Sequence, residues 1–377
     1  MEIGENMDSQ NKQTKTYQTI FGKVDYDLIK EGNIERLKED KSIIQAVELL
    51  RQGEIVAFPT ETVYGLGADA CNKTAVEKIY IAKGRPQDNP LIVHIADKKQ
   101  LYSFIKGELS LAGEKLISAF WPGPLTIIVE KNTLIPDRTT AGLDSIAIRI
   151  PSHPLTLALL ELADLALAAP SANKSGAPSP TKACHVLSDL NAKIPMILDG
   201  GAAKVGLEST IVDVRGKPKI LRPGGISREE IEDVLSCKLG ASSQESSLAN
   251  DLQIDKPLAP GMKYRHYSPE TPLYILKGKK ELELILNELV ENDSKRKPGF
   301  IISDESFDKY GLDMRQEGIK VMKMGSREEP EMIAAKLFAI LRSLDQFSLP
   351  AIYVEAIPKK GIGEAVMNRL LKASSKE

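Results

Sequence analysis

Lys83 and Arg85, with one glycine between them, put two cations on a single turn of chain, and Asn89 and His94 follow closely. Arginine grips phosphate oxygens in a planar fork, whereas lysine acts as a compact point charge. A Lys-x-Arg pair can equally be a solvated face, but Gly84 between the cations and Pro86 and Pro90 after them argue for a fixed loop. Residues 59–67 (PTETVYGLG) supply threonines, a carboxylate and two glycines, which allow either a close ligand approach or a tight turn. Residues 170–176 (PSANKSG), 206–210 (GLEST) and 221–224 (LRPG) each set polar residues beside an expected strand. Such loops can offer N–H and hydroxyl groups to a phosphate, or simply cap a helix. Arg149 lies inside the apolar run AIRIP and needs a partner, because burying it unpaired costs several kcal/mol. That partner is either a structural carboxylate or the carboxylate of a ligand.

Absences narrow the chemistry further. The chain has no GxxxxGK[ST], HExxH or GxSxG and no cysteine–histidine nucleophile pattern. Four histidines and three scattered cysteines do not suggest a transition-metal centre. Cations and hydroxyls without a nucleophile suit nucleotidyl transfer, where positioning and charge neutralisation do most of the catalysis. A net charge of −2 gives no global field for nucleic acid, although a local basic patch is compatible with it. Cys71, Cys184 and Cys237 read as reduced thiols. The first fifteen residues carry acids and no apolar run, so neither a secretory signal nor a transit peptide is expected. The apolar stretch 155–169 is broken by Glu161 and Asp164 and is too short to span a bilayer. A cytoplasmic location is expected.

The elements that must hold these residues follow from apolar spacing. A length of 377 residues favours two domains. Residues 1–16 are polar and expected to be disordered. From 17 to 238 the pattern is α/β, with helices expected over 42–52, 74–83, 111–120, 153–163 and 228–235. Strands are expected over 54–59, 91–95, 125–130, 145–150, 165–169, 194–198, 209–214 and 219–221. Some follow one another directly, which predicts a mixed sheet. Residues 239–270 read as a linker, rich in Ser, Asn, Asp and Pro up to 260. Its end, PGMKYRHYSP, does not fit a passive spacer. From 271 to 377 strands (273–276, 300–302, 320–322, 352–355) alternate with helices (281–291, 330–344, 364–372), predicting a small, mostly parallel Rossmann-like domain. No GxGxxG follows its first strand, so dinucleotide binding is not supported there.

Taken together, PTETVYGLG, AKGRPQDNPLIVHI, WPGPLT, PSANKSGAPSPT, GLESTIVD, LRPG and PGMKYRHYSP resemble the threonylcarbamoyl-AMP synthase family in its long form: a YrdC-like catalytic domain, a linker and a C-terminal Rossmann-like domain. The resemblance is strong over about residues 42–269 and rests on layout beyond. It implies a nucleotidyltransferase that makes L-threonylcarbamoyl-AMP from L-threonine, bicarbonate and ATP, releasing pyrophosphate. The product would serve the modification of the adenosine beside the anticodon in tRNA, through downstream transfer proteins. By matching to the family, Lys83, Arg85, Ser171 and Asn173 line the nucleotide, and Asn89, Ser145, Ser179, Arg222 and Tyr267 also contact ATP. Ser145 stands where the family often has threonine. Thr62, His94, Arg149, Ala169 and Ser209 would hold threonine. Lys83, Arg85 and Arg222 would neutralise charge in the transfer, with Mg²⁺ arriving on the ATP phosphates and no protein ligand assigned to it. Tyr264, Arg265, His266 and Tyr267 would form a lid. The competing readings are an RNA-binding module without catalysis and an ATP-dependent activator of another amino acid.

Overall fold

In the computed structural model, residues 16–240, 257–260, 266–291 and 296–375 are described. The expectations for residues 1–15, for most of the linker and for Tyr264 and Arg265 lie outside them.

Local sequence explains how the first helix of the sheet-packing pair forms. Helix Lys41–Arg51 starts where the Asp40 side chain accepts from the N–H groups of Ser42 and Ile43. It buries Ile43, Ala46, Val47 and Leu50, a one-sided stripe. Gly53, at φ 73°, then turns the chain out of it. The strands that follow are short and mostly buried on both faces. They are β1 (Ile20–Lys23), β2 (Val56–Phe58), β3 (Gly65–Asp69), β4 (Ile92–His94), β5 (Leu125–Glu130), β6 (Ser145–Arg149), β7 (Leu167–Ala168), β8 (Met196–Asp199), β9 (Thr210–Asp213) and β10 (Lys219–Arg222). They form one sheet in the order β1-β8-β2-β3-β7-β4-β6-β5-β9-β10. Parallel pairs such as β4 with β6 alternate with antiparallel ones such as β5 with β6, so the sheet is mixed.

Alternation along the strands divides the core. Ala57, Val93, Ile127 and Ile148 pack with helices Lys73–Lys83 and Leu111–Phe120. Phe58, Leu167, Ala169 and Met196 face helices Lys41–Arg51 and Pro154–Ala163. Farther along, Ile92, Ala147, Ile128 and Ile211 are covered by Ala259, which is wholly buried. This described piece of the linker is therefore packed against the sheet.

The second sheet comprises β11 (Leu273–Leu276), β12 (Gly299–Ile302), β13 (Lys320–Lys323) and β14 (Ile352–Glu355), in the order β11-β14-β12-β13 and wholly parallel. Helices Pro330–Asp345 and Gly363–Ala373 pack on one face, whose apolar cluster takes in Val63 and Leu207 of the first domain. The docking is close. Gly206 has φ +76°, and a Cβ there would stand 2.4 Å from Ala335 Cα and 2.5 Å from Ala334 O, so no other residue fits. Arg342 grips Asp189 at 2.7 and 2.9 Å across the same interface. No helix among the described residues is long and apolar enough to cross a membrane.

Candidate active site

The cavity lies where an apolar row of the sheet gives way to a polar one. On β4, Ile92 is followed two residues on by His94; on β6, Ala147 by Arg149; on β5, Ile128 is preceded by Thr126. The pairings His94 with Arg149 and Ile92 with Ala147 put each row on one face, since side chains two apart share a face. Loops from other stretches close around this row. Thr60, Thr62, Arg85, Ala169, Ser171, Glu208, Ser209, Arg222, Pro260, His266 and Tyr267 complete the lining.

Each loop is held by its own hydrogen bonds. In the turn between β2 and β3, Thr60 Oγ1 donates to Val63 O at 2.7 Å and accepts from Thr62 N and Val63 N. Gly65 and Gly67 turn out to be strand residues. A Cβ on Gly67 would meet the Phe58 ring at 2.5 Å, so the ring explains that glycine better than a tight turn does. Arg85, just past the left-handed Gly84, donates to Asn89 O at 3.2 Å and Pro90 O at 2.9 Å and so ties its own loop. Arg222 donates to Ser209 O at 2.9 Å and Ser209 Oγ at 3.1 Å, and weakly to Pro260 O at 3.4 Å. Gly224 makes this possible, because a Cβ would stand 2.3 Å from Glu208 O.

The open question about Arg149 resolves in favour of a protein carboxylate. Its Nη2 donates to Glu61 Oε1 at 2.5 Å and its Nη1 to Thr62 Oγ1 at 3.0 Å. Its Nε has no partner among the described residues. Glu208, the other carboxylate at the cavity, accepts from Ser179 Oγ at 2.5 Å and from Arg369 Nε at 2.7 Å. Burial alone would raise its carboxyl, but Arg369 and Arg222 outweigh that and hold it below the usual range. Burial lowers the guanidiniums of Arg85 and Arg222 to about 10, so both remain charged at neutral pH. Burial, then the charge of Arg149, depresses His94 to about 3; burial, then Arg85, does the same to His266. Both imidazoles are neutral. His94 Nδ1 stands 3.3 Å from Ile92 O, and the ring also faces the Leu167 carbonyl.

Thr62, Arg85, His94, Arg149, Ala169, Ser171, Ser209, Arg222, His266 and Tyr267 are thus brought to one cavity. Five other expected residues do not line it. Lys83 Nζ is buried and donates to Ser171 O and Asn173 O, both at 2.5 Å. Burial and then Arg85 push its ammonium well below the ordinary value. It fastens the loop. Asn173 accepts from Ser171 Oγ and donates to Lys174 O and Ala177 O. Ser179 is taken by Glu208. Asn89 is buried with Oδ1 unpartnered among the described residues. Ser145 opens β6, four residues and about 13 Å of strand from Arg149. Glu61, Glu208 and Arg369 were not singled out from sequence. The two glutamates sat inside quoted motifs, and a lone carboxylate among so many cations signals pairing; Arg369 carries no such signal.

A mixed α/β sheet, a docked parallel domain and a cavity of arginines and hydroxyls without a nucleophile define a two-domain binder of anionic ligands. A family model described as "Telomere recombination" matches residues 48–224, and one described as "Threonylcarbamoyl-AMP synthase, C-terminal domain" matches residues 226–375. The threonylcarbamoyl-AMP synthase of Bacillus subtilis is 46% identical over 338 residues, covering 89% of this chain and 93% of the relative. That of Pyrococcus abyssi is 43% identical over 344 residues, covering 90% and 96%. The crystal structure of P. abyssi Sua5 complexed with L-threonine superposes with a TM-score of 0.80 at 39% identity, over 94% of this chain and 97% of that one. The chain belongs to the threonylcarbamoyl-AMP synthase family. It is an enzyme of that type.

Proposed function

We propose that the cavity takes L-threonine and ATP side by side and, with bicarbonate, yields L-threonylcarbamoyl-AMP and pyrophosphate. One observation carries the reading: residues matched to both substrates, from stretches as distant as Thr62 and Tyr267, line one cavity. Threonine lies at the Arg149 end, where the guanidinium supplies the charge that attracts its carboxylate and Thr62, Ser209 and Ala169 surround its side chain. Neutral His94 adds no charge beside the threonine amine, and the buried Arg149 cation disfavours its ammonium form, leaving the unprotonated amine that attack on bicarbonate needs. The amine nitrogen bonds to the bicarbonate carbon, water leaves, and a carbamate results. A carbamate oxygen then bonds to the α-phosphorus as the bond to the bridging oxygen breaks, and pyrophosphate departs with that electron pair. Arg85 and Arg222, fixed by backbone carbonyls, need no reorganisation to neutralise the developing charge. Lys83 acts through the loop of Ser171 and Asn173. Asn89 and Ser145, which do not line the cavity, would act only through the loop and strand that carry them.

Mg²⁺ belongs to this reading only as part of the ATP substrate. No three His, Cys, Asp or Glu side chains converge among the described residues. Both carboxylates at the cavity are taken by arginines, so the donor set suits phosphate and not a resident cation. The product would pass to transfer proteins acting on tRNA in the cytoplasm. Conversion of ATP to pyrophosphate by the full chain, with threonine and bicarbonate present, tests the site. Arg85→Ala should lower it to below about one-hundredth, the usual loss for one preorganised donor. Turnover near that of the parent would contradict the assignment.

A further inference from the structure

Arg369 belongs to the C-terminal domain, in helix Gly363–Ala373, yet it is among the largest fully buried side chains of the molecule, at 1% exposure. Its guanidinium reaches two pieces of the catalytic domain and the end of the linker. Nε donates to Glu208 Oε2 at 2.7 Å, and Nη1 donates to Pro223 O at 2.9 Å. The guanidinium carbon stands 5.2 Å from the centroid of the Tyr267 ring. Glu208 and Tyr267 line the cavity, and Pro223 directly follows Arg222, which also does. Tyr267 is held from its other neighbour as well, stacked on Phe338 at 5.4 Å. Glu208 in turn holds Ser179 through its second oxygen.

We infer that Arg369 is a positioning residue for the nucleotide half of the cavity, through which docking of the C-terminal domain sets the shape of the site. Without it, Glu208 is a buried carboxylate short of a partner beside the phosphate path. It would turn toward Arg222, the cation meant for the nucleotide. Tyr267 would lose the charge beside its ring. Among the described residues Arg369 makes no hydrogen bond to Glu61, Thr62 or Arg149, and Ser209 keeps its own bond to Thr126 Oγ1, so the threonine end should not respond.

A second interdomain ion pair makes this testable. Arg342 grips Asp189 and the Pro178 carbonyl from helix Pro330–Asp345 and does not line the cavity. If Arg369 only fastens the domains, Arg342→Gln should mimic Arg369→Gln. The inference rests on the synthase reading for its choice of nucleotide, so binding is measured separately from turnover. The probe is an ATP analogue with methylene for the α,β-bridging oxygen, titrated by calorimetry into the full chain. Arg369→Gln should weaken binding about tenfold or more, the size of one lost buried charge-assisted hydrogen bond. Arg342→Gln should change it less than about twofold while lowering the melting temperature comparably, since this largely buried ion pair fastens the domains without lining the cavity. Arg369→Lys, unable to fork Glu208 and Pro223 together, should recover only part of the loss. In turnover, Arg369→Gln should raise KM for ATP and leave KM for threonine unchanged. Equal effects of the two glutamine variants, or undiminished binding in Arg369→Gln, overturn the inference. A parent chain that binds the analogue but makes no pyrophosphate with threonine and bicarbonate overturns the synthase reading, and the binding arm still decides the role of Arg369.

Discussion

Two buried arginine–glutamate pairs flank the cavity, and they are built in different ways. Glu61 and Arg149 both come from the first domain, on the turn between β2 and β3 and on strand β6, and Ser152 N also donates to the carboxylate, at 3.2 Å. Glu208 and Arg369 are 161 residues apart and meet only because two separately formed sheets dock. The first pair comes with the fold of one domain and stands at the end proposed for threonine. The second exists only in the docked whole and stands at the end proposed for ATP. One site therefore has a half completed within one domain and a half that depends on domain docking.

The hardest way to break the comparison is to remove the local partner. Glu61→Ala leaves Arg149 buried and unpaired, and urea unfolding should report a loss of about 3–5 kcal/mol. In whatever fraction stays folded, KM for threonine should rise more than KM for ATP. A smaller perturbation acts on the other half. Gly206→Ala forces a left-handed alanine against the backbone of helix Pro330–Asp345 and should cost about 1–3 kcal/mol. Its kinetic signature should be the reverse, a raised KM for ATP with threonine little affected. If both variants shift both constants together, the two halves are not separable.

Acid gives the mildest probe. His94 and His153 are held neutral by burial, at about 3 and about 4, whereas in an unfolded chain each binds a proton from about pH 6.5 downward. The unfolded state then carries more protons, so stability is complete above pH 6.5 and falls as pH drops, by up to about 1.4 kcal/mol per unit for each histidine. Melting temperature followed from pH 7.5 to 5 should be flat at first and then decline. His94→Asn should lessen the decline only by its own share, since His153, His185 and His266 are held neutral by burial as well.

The same contrast governs what the sequence could reveal. Helices Leu111–Phe120 and Arg228–Leu235 and strands β5, β11 and β14 match their apolar patterns end to end, because neighbours in the chain decide them. Strand β3 is not legible where a ligand approach or a tight turn is expected, since Gly-Leu-Gly has poor strand propensity and packs against the Phe58 ring. Helix Asp304–Gln316 was missed for a similar reason. Its interior Gly311 breaks the pattern, and only the folded Phe307 ring shows what fills the space. Within the site, positions that line the cavity were legible as motif residues. Lys83 was not legible as a loop fastener, because the carbonyls it bonds lie 88 and 90 residues away. Arg369 was invisible for the same reason.

The most direct test of the central claim follows the carbon. The full chain is given ATP, L-threonine and isotopically labelled bicarbonate, and label in an adenylated product is counted against pyrophosphate released. One labelled carbon per pyrophosphate, with neither product formed when threonine is withheld, is the expected result. Pyrophosphate release without labelled product, or without need of threonine, would contradict the proposed reaction.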